Sequence, residues 1–289
     1  MIIRISQVNL GCSDMKNYSK GFTLVELLVV ISILALLLSI LMPALGMARE
    51  RAQSTICIAN LRQIGFAVQL YANDYSQFFP PAYESSTDTH WWGQKTPTGI
   101  DHQKSFTWSY LTSTLKRNGL FECPSQKLGT YKFQGKPDNM PDGPKWITST
   151  YGYNGYYLTP AKTSGWATMI GNRPWQRSQT VIHPAQVFVF ADTMLDRDPG
   201  AGSAIENCAL LDPPQLFMSG SWQKNDYPTT SFRHNLRTNG YFADGHAQST
   251  PLPASSAYRA RQVISSVGHD NDCYVPDWRS WVTGRRPRQ

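Results

Sequence analysis

The sequence predicts an α+β protein: a long N-terminal helix, apolar enough over its first half to cross a membrane, laid against an antiparallel sheet with long loops. Three observations predict it. Residues Phe22 to Leu45 form an apolar run of 24 residues carrying one charge, Glu26. Behind it, apolar residues recur at helical spacing as far as Tyr75. Strand and hairpin signals then follow late in the chain, after stretches rich in Gly, Pro, Ser and Thr. The composition agrees with a loop-rich body, since charged residues make up only 16% of 289, against about a quarter in ordinary soluble domains. The net charge of +7 lies partly in the first 20 residues and partly in the last dozen, so no nucleic-acid groove and no nucleic-acid partner are expected.

The apolar run is the most informative element. A helix needs about 20 apolar residues to cross a bilayer core of about 30 Å, and this run is long enough, which excludes a soluble cytosolic protein. A cleaved secretory signal has an apolar region of only about 7–15 residues before a small-residue site; this run is longer, and Ala44-Leu45-Gly46 is only a passable match to such a site. A plain anchor explains the length but not Glu26. A carboxylate deep in a bilayer costs at least about 2.5–3.5 kcal/mol and by default has a functional partner. Pro43 removes one helical hydrogen bond near the end of the run and is expected to kink the helix.

Past Leu45 the helix continues but turns amphipathic, over residues 46–79. Cys57, Leu61, Ile64, Val68, Tyr71 and Tyr75 follow spacings of 4, 3, 4, 3 and 4, which set them on one face, while Arg49, Arg51, Arg62, Asn73 and Asp74 occupy the others. Pro80-Pro81 is the expected stop. A helix from Phe22 to about Asp74 would span roughly 80 Å. Residues 82–143 read as loop with a short helix around 108–117. Val187–Asp192 reads as a central strand, 197–226 as an insertion, and Thr238–Ala243 leads through Asp244-Gly245, a strong hairpin-turn signal, to His246-Ala247-Gln248.

Two groups of residues resemble known families. Lys20-Gly21-Phe22-Thr23-Leu24-Val25-Glu26-Leu27-Leu28 resembles the processing site of type IV prepilins and type II secretion pseudopilins. The resemblance implies that residues 1–21 are a leader, that a membrane-embedded prepilin peptidase cuts after Gly21, and that the new terminus at Phe22 is N-methylated. It implies that Glu26 is the fifth residue of the mature chain, that Pro43 is the pilin kink, and that residues 22–45 both span the membrane and carry polymerisation. A physical reason for Glu26 stands beside it. Stacking apolar helices buries each new terminal ammonium, and a neighbour's carboxylate would neutralise that charge and set the register between subunits. Met15 would give a more compact leader than Met1, and Leu10-Gly11-Cys12 lacks the apolar stretch that a lipoprotein signal requires.

Second, His234 is followed by nine residues and then Asp244-Gly245, similar to the H-x9-D-G element of many large prepilin-like proteins. Cys57 with Asn60-Leu61-Arg62-Gln63-Ile64, Tyr71-Ala72-Asn73-Asp74, Cys123-Pro124, Tyr151-Gly152-Tyr153-Asn154 and Ala191-Asp192 fit the same pattern. By resemblance, residues 80–289 form a pilin-like extracytoplasmic domain of loops and strands. The chain is then a single-pass protein of the inner, cytoplasmic membrane with this domain in the periplasm or cell exterior. Its partners are the prepilin peptidase, other pilin or pseudopilin subunits, an assembly platform with its ATPase, and the lipid bilayer.

Five cysteines are present, Cys12 within the leader. Cys57, Cys123, Cys208 and Cys273 remain in the mature chain, an even number in a body expected to face an oxidising compartment. Three pairings are open, of which Cys57–Cys123 and Cys208–Cys273 are favoured. No C-x-x-C, G-x-S-x-G, H-E-x-x-H or Walker-type loop occurs, so no catalytic residue is assigned and no enzyme or obligatory cofactor is expected. His234, Asp244 and His246 with Asp192 are the candidate ligands for a divalent metal, although a turn-forming role for Asp244 and backbone contacts for the histidines is the favoured reading. Asp270-Asn271-Asp272 opens like a calcium loop but puts Tyr274 at the third ligand position; Ca2+ held by loop carboxylates and carbonyls stays open beside another divalent metal. Trp91, Trp92, Trp166, Trp175, Trp222, Trp278 and Trp281 read mostly as core plugs, and Arg285–Arg288 as a solvated tail. The expected function is a structural filament subunit. The alternative is a membrane-anchored extracytoplasmic binding protein or hydrolase that uses the helix only as an anchor.

Overall fold

The computed structural model describes residues 22–96, 99–111, 119–126, 149–159, 175–195, 207–218, 221–253, 264–267 and 271–280. The leader with Gly21, both proposed starts, Trp166, Trp281, Asp270 and the basic tail lie outside the described residues. The chain divides into two compact units, one ending at Met47 and the other beginning at Ala48.

Helix α1 spans Leu24–Asp74 and contains Pro43 without interruption of its helical path. Within the first unit its apolar side chains are exposed throughout; Leu36 is 64% and Ile40 69% accessible. Among the described residues this is the one helix long and apolar enough to cross a membrane. Soluble monomers rarely expose apolar patches beyond a few hundred Å², so this segment marks a single-pass membrane-anchored protein.

In the second unit, the α1 face at Cys57, Leu61, Ile64, Val68 and Tyr71 is buried, as the spacing predicts. Tyr75 departs from it: its ring stacks on Tyr71 at 4.2 Å but stays 53% exposed. The helix ends at Asp74, in line with the reach to about Asp74 that the sequence predicts, but six residues short of Pro80-Pro81: Ser76 and Gln77 take left-handed φ values of 52° and 70° and the Gln77 amide donates to the Ala72 carbonyl.

Strands follow in the order β1 (Tyr83–Glu84), β2 (Thr89–His90), β3 (Gly93–Thr96), β4 (Gly99–Asp101), β5 (Tyr151–Tyr153), β6 (Phe188–Asp192), β7 (Gln215–Met218), β8 (Ser221–Lys224), β9 (Thr230–Ser231), β10 (Arg237–Phe242), β11 (Ala247–Pro251) and β12 (Ile264–Ser265). The central antiparallel sheet has the order β11-β10-β6-β5. β6 is therefore an interior strand, buried at every position, which is why its sequence reads as an unbroken apolar run. Two expectations are corrected. The stretch after Ala82 is not plain loop, because β1–β4 form a small antiparallel sheet around Trp91 and Trp92; of the helix expected at 108–117, the described part is a single 3-10 turn, Trp108–Tyr110. The insertion at 197–226 contains the β7–β8 hairpin, its Phe217 and Trp222 rings packed edge to face. Trp91 is fully buried and its indole N–H donates to the Ala209 carbonyl at 2.7 Å.

Gly65 fixes how closely α1 approaches the sheet. A Cβ there would lie 2.2 Å from the ring of Tyr241 on β10. Gly65→Val should therefore destabilise the body at the upper end of the ~1–3 kcal/mol range for overpacking, read as a lower urea midpoint by tryptophan fluorescence of the full chain in detergent.

Candidate functional site

At the start of α1 the sequence Thr23-Leu24-Val25-Glu26 forms a capping box. The Glu26 amide donates to the Thr23 hydroxyl at 3.2 Å, while Glu26 Oε2 accepts from the Thr23 amide at 2.9 Å and from its hydroxyl at 2.8 Å. This role of Thr23 was missed in the sequence reading, although T-x-x-E ahead of an apolar run is its signature. All three bonds leave Oε1 able to accept a further donor. Phe22, the first residue after the expected cut, is 72% exposed.

The second site lies in the body, where four elements converge. α1 supplies Cys57, the 119–126 loop supplies Cys123, the last position of β6 supplies Asp192, and the turn before β10 supplies His234. That turn is a two-residue connection: His234 and Arg237 exchange backbone hydrogen bonds at 3.1 Å, with Asn235 and Leu236 both at positive φ. Leu236 is a poor residue for that conformation, so the turn is hard to anticipate from sequence. Cys57 Sγ donates to Asp192 Oδ1 at 3.1 Å; His234 Nε2 lies 3.4 Å from Asp192 Oδ2 and 3.4 Å from Cys123 Sγ. All four residues are buried, and their ligand-type atoms lie within 4.8 Å of one another.

Arg233 borders the group, its Nε 3.9 Å from Asp192 Oδ1 and its Nη2 donating to the Thr150 and Thr193 carbonyls at 3.0 and 2.5 Å. Burial opposes charge on Asp192, but Arg233 and His234 outweigh it and hold its carboxyl below the usual range. Burial likewise opposes charge on His234, yet Asp192 beside it raises the imidazole to about 9. Of the two thiols, Cys57 is pushed up by burial. Cys123, despite its burial, is brought down to about 5 by the hydrogen bond from Cys57 and by His234 and Arg233.

Of the metal candidates named from sequence, the structure brings Asp192 and His234 together but not Asp244 and His246. Those two sit past the far end of β10, six residues of extended chain away. The reason is the turn itself: Gly245 takes φ +97°, Asp244 Oδ1 accepts from the His246 amide at 3.1 Å and lies 2.5 Å from its ring Nδ1, and that ring stacks on Phe242. No disulfide joins the four described cysteines, Cys57, Cys123, Cys208 and Cys273. Cys57 and Cys123 do meet, but within the polar cluster; Cys208 donates its thiol to the Leu210 carbonyl at 3.2 Å. Asn271 pairs its amide with both backbone groups of Gln215, and Asp272 accepts from Trp278 and Arg279.

Residues 16–42 match the family described as "Prokaryotic N-terminal methylation motif", and residues 46–118 match "Protein of unknown function (DUF1559)". The chain is 42% identical over 60 residues to the type IV wide pilus major component PilA4 of Thermus thermophilus; the match covers 21% of this chain and 46% of that protein, so it spans about half of its relative. No solved structure matches. Together with the long apolar helix and the antiparallel sheets, these matches support a type IV prepilin/pseudopilin-like protein.

Proposed function

We propose that this chain is a structural, non-enzymatic subunit of a type IV pilus or type II secretion pseudopilus, cut after Gly21 by a prepilin peptidase, methylated at Phe22 and assembled with other pilin-like subunits by a platform and its ATPase. The observation that carries this reading is the apolar run behind a methylation-type motif, solvent-exposed along its whole length. A surface of that kind needs lipid before assembly and neighbouring helices after it. The body faces the periplasm or cell exterior, with the N-terminus on the cytoplasmic side.

Intact mass and N-terminal sequencing of the chain from membranes of a host carrying prepilin peptidase test this. The expected chain begins at methylated Phe22. A chain still beginning at Met1 or Met15 would favour the anchored binding protein or hydrolase, and cleavage after Gly46 would make the body a secreted soluble protein.

A further inference from the structure

We infer that Cys57, Cys123, Asp192 and His234 form a structural zinc site that ties α1 to the central sheet. Ligands about 2.0–2.3 Å from a tetrahedral zinc lie about 3.3–3.8 Å from each other. His234 Nε2 lies 3.4 Å from both Cys123 Sγ and Asp192 Oδ2, within this range; Cys57 Sγ lies 3.1 Å from the other carboxylate oxygen, and one ligand atom from each of the four residues falls within 4.8 Å of the rest, close enough for small side-chain shifts to close the set. Two thiolates with one imidazole and one carboxylate suit zinc, where an all-oxygen set would suit calcium or magnesium. Four protein ligands in a buried position leave no open coordination place, which is the pattern of a structural site and not of a catalytic one.

The surroundings fit the same assignment. His234 Nδ1 lies 3.4 Å from the Ser125 hydroxyl, which itself donates to Gln53 Oε1 at 3.3 Å. That relay places the proton on Nδ1 and turns the Nε2 lone pair toward the cluster, the usual support for a zinc-bound histidine. The Asn239 amide donates to Asp192 Oδ2 at 2.8 Å and steadies the carboxylate. Zinc with two thiolates and one carboxylate carries a net charge of −1, and the buried guanidinium of Arg233, whose Nε and Nη1 make no hydrogen bond, supplies the matching positive charge. On binding, any protons held by the two sulfurs and by His234 Nε2 leave to solvent, and two Zn–S bonds, one Zn–N bond and one Zn–O bond form, with no change of oxidation state.

The test uses the full chain extracted in detergent without chelator. Elemental analysis should find one zinc per chain, and alkylation of Cys57 and Cys123 should stay slow until a strong chelator is added. Cobalt chloride added to the metal-free protein should give the visible bands and thiolate charge-transfer absorption of tetrahedral cobalt. Ser125 is exposed and can be changed without disturbing the core. Ser125→Ala should weaken zinc affinity by about 10–100-fold, measured by competition with a chromophoric chelator. A metal-free chain with a Cys57–Cys123 cross-linked peptide would overturn the proposal in favour of a disulfide. Zinc retained at full affinity by Cys57→Ser/Cys123→Ser would overturn it as well.

Discussion

Replacing Glu26 with Gln will abolish filament formation while the chain is still made, inserted and processed. The two duties of Glu26 can be separated because of the capping box. A Gln at that position keeps a carbonyl oxygen for the Thr23 amide, so the start of α1 survives. What is lost is the charge. In the proposed filament a neighbour's terminal ammonium would then be buried without a counter-charge, at a cost of about 3–5 kcal/mol. With tenfold per 1.4 kcal/mol, incorporation falls at least about a hundredfold. Thr23→Val is the matched control: it gives up the cap, worth about 0.5–2 kcal/mol, but keeps the carboxylate, and filaments should persist. Sheared filaments quantified against membrane-bound chain provide the readout. Equal loss in both variants would reassign Glu26 to helix initiation alone.

What could be read from the sequence divides along a physical line. The α1 stripe, the buried strand at β6 and the Asp244-Gly245 hairpin were all legible, because each is set by residues a few positions apart, through period 3.6, an apolar run, or turn chemistry. The helix end near Asp74 was legible, but not what makes it, since a left-handed Ser76-Gln77 end has no Gly or Asn to announce it. The sheet β1–β4 went unseen because its strands are two to four residues long, too short for any periodicity. The cluster was half legible. Asp192 and His234 were singled out as metal ligands, though together with Asp244 and His246, and Cys57 and Cys123 as a disulfide pair, but the union of these four depends on sheet order. β6 and β10 are neighbours only after some 45 intervening residues, and no local signal encodes that.

Asp192→Ala should cost the body about 3–5 kcal/mol, the expected penalty for leaving a buried cation without its counter-charge. Asp192 is fully buried and faces two cationic groups, Arg233 at 3.9 Å and His234 at 3.4 Å, while also accepting from Cys57 and the Asn239 amide. Against a total stability of about 5–15 kcal/mol for an ordinary domain, this single change removes about a fifth or more and should sharply lower the steady-state level of the chain. Urea unfolding of the full chain in detergent, with chelator present throughout, measures the term apart from any metal. Adding Arg233→Met to Asp192→Ala should recover part of the loss, because the stranded guanidinium is then gone and its stem is replaced by a chain of similar volume. A loss below about 1 kcal/mol in the single variant, or none recovered in the double, would mean that the cluster is neutralised by something other than Asp192. Both outcomes bear on the fold, since the carboxylate sits where α1, β6 and β10 must agree on one register.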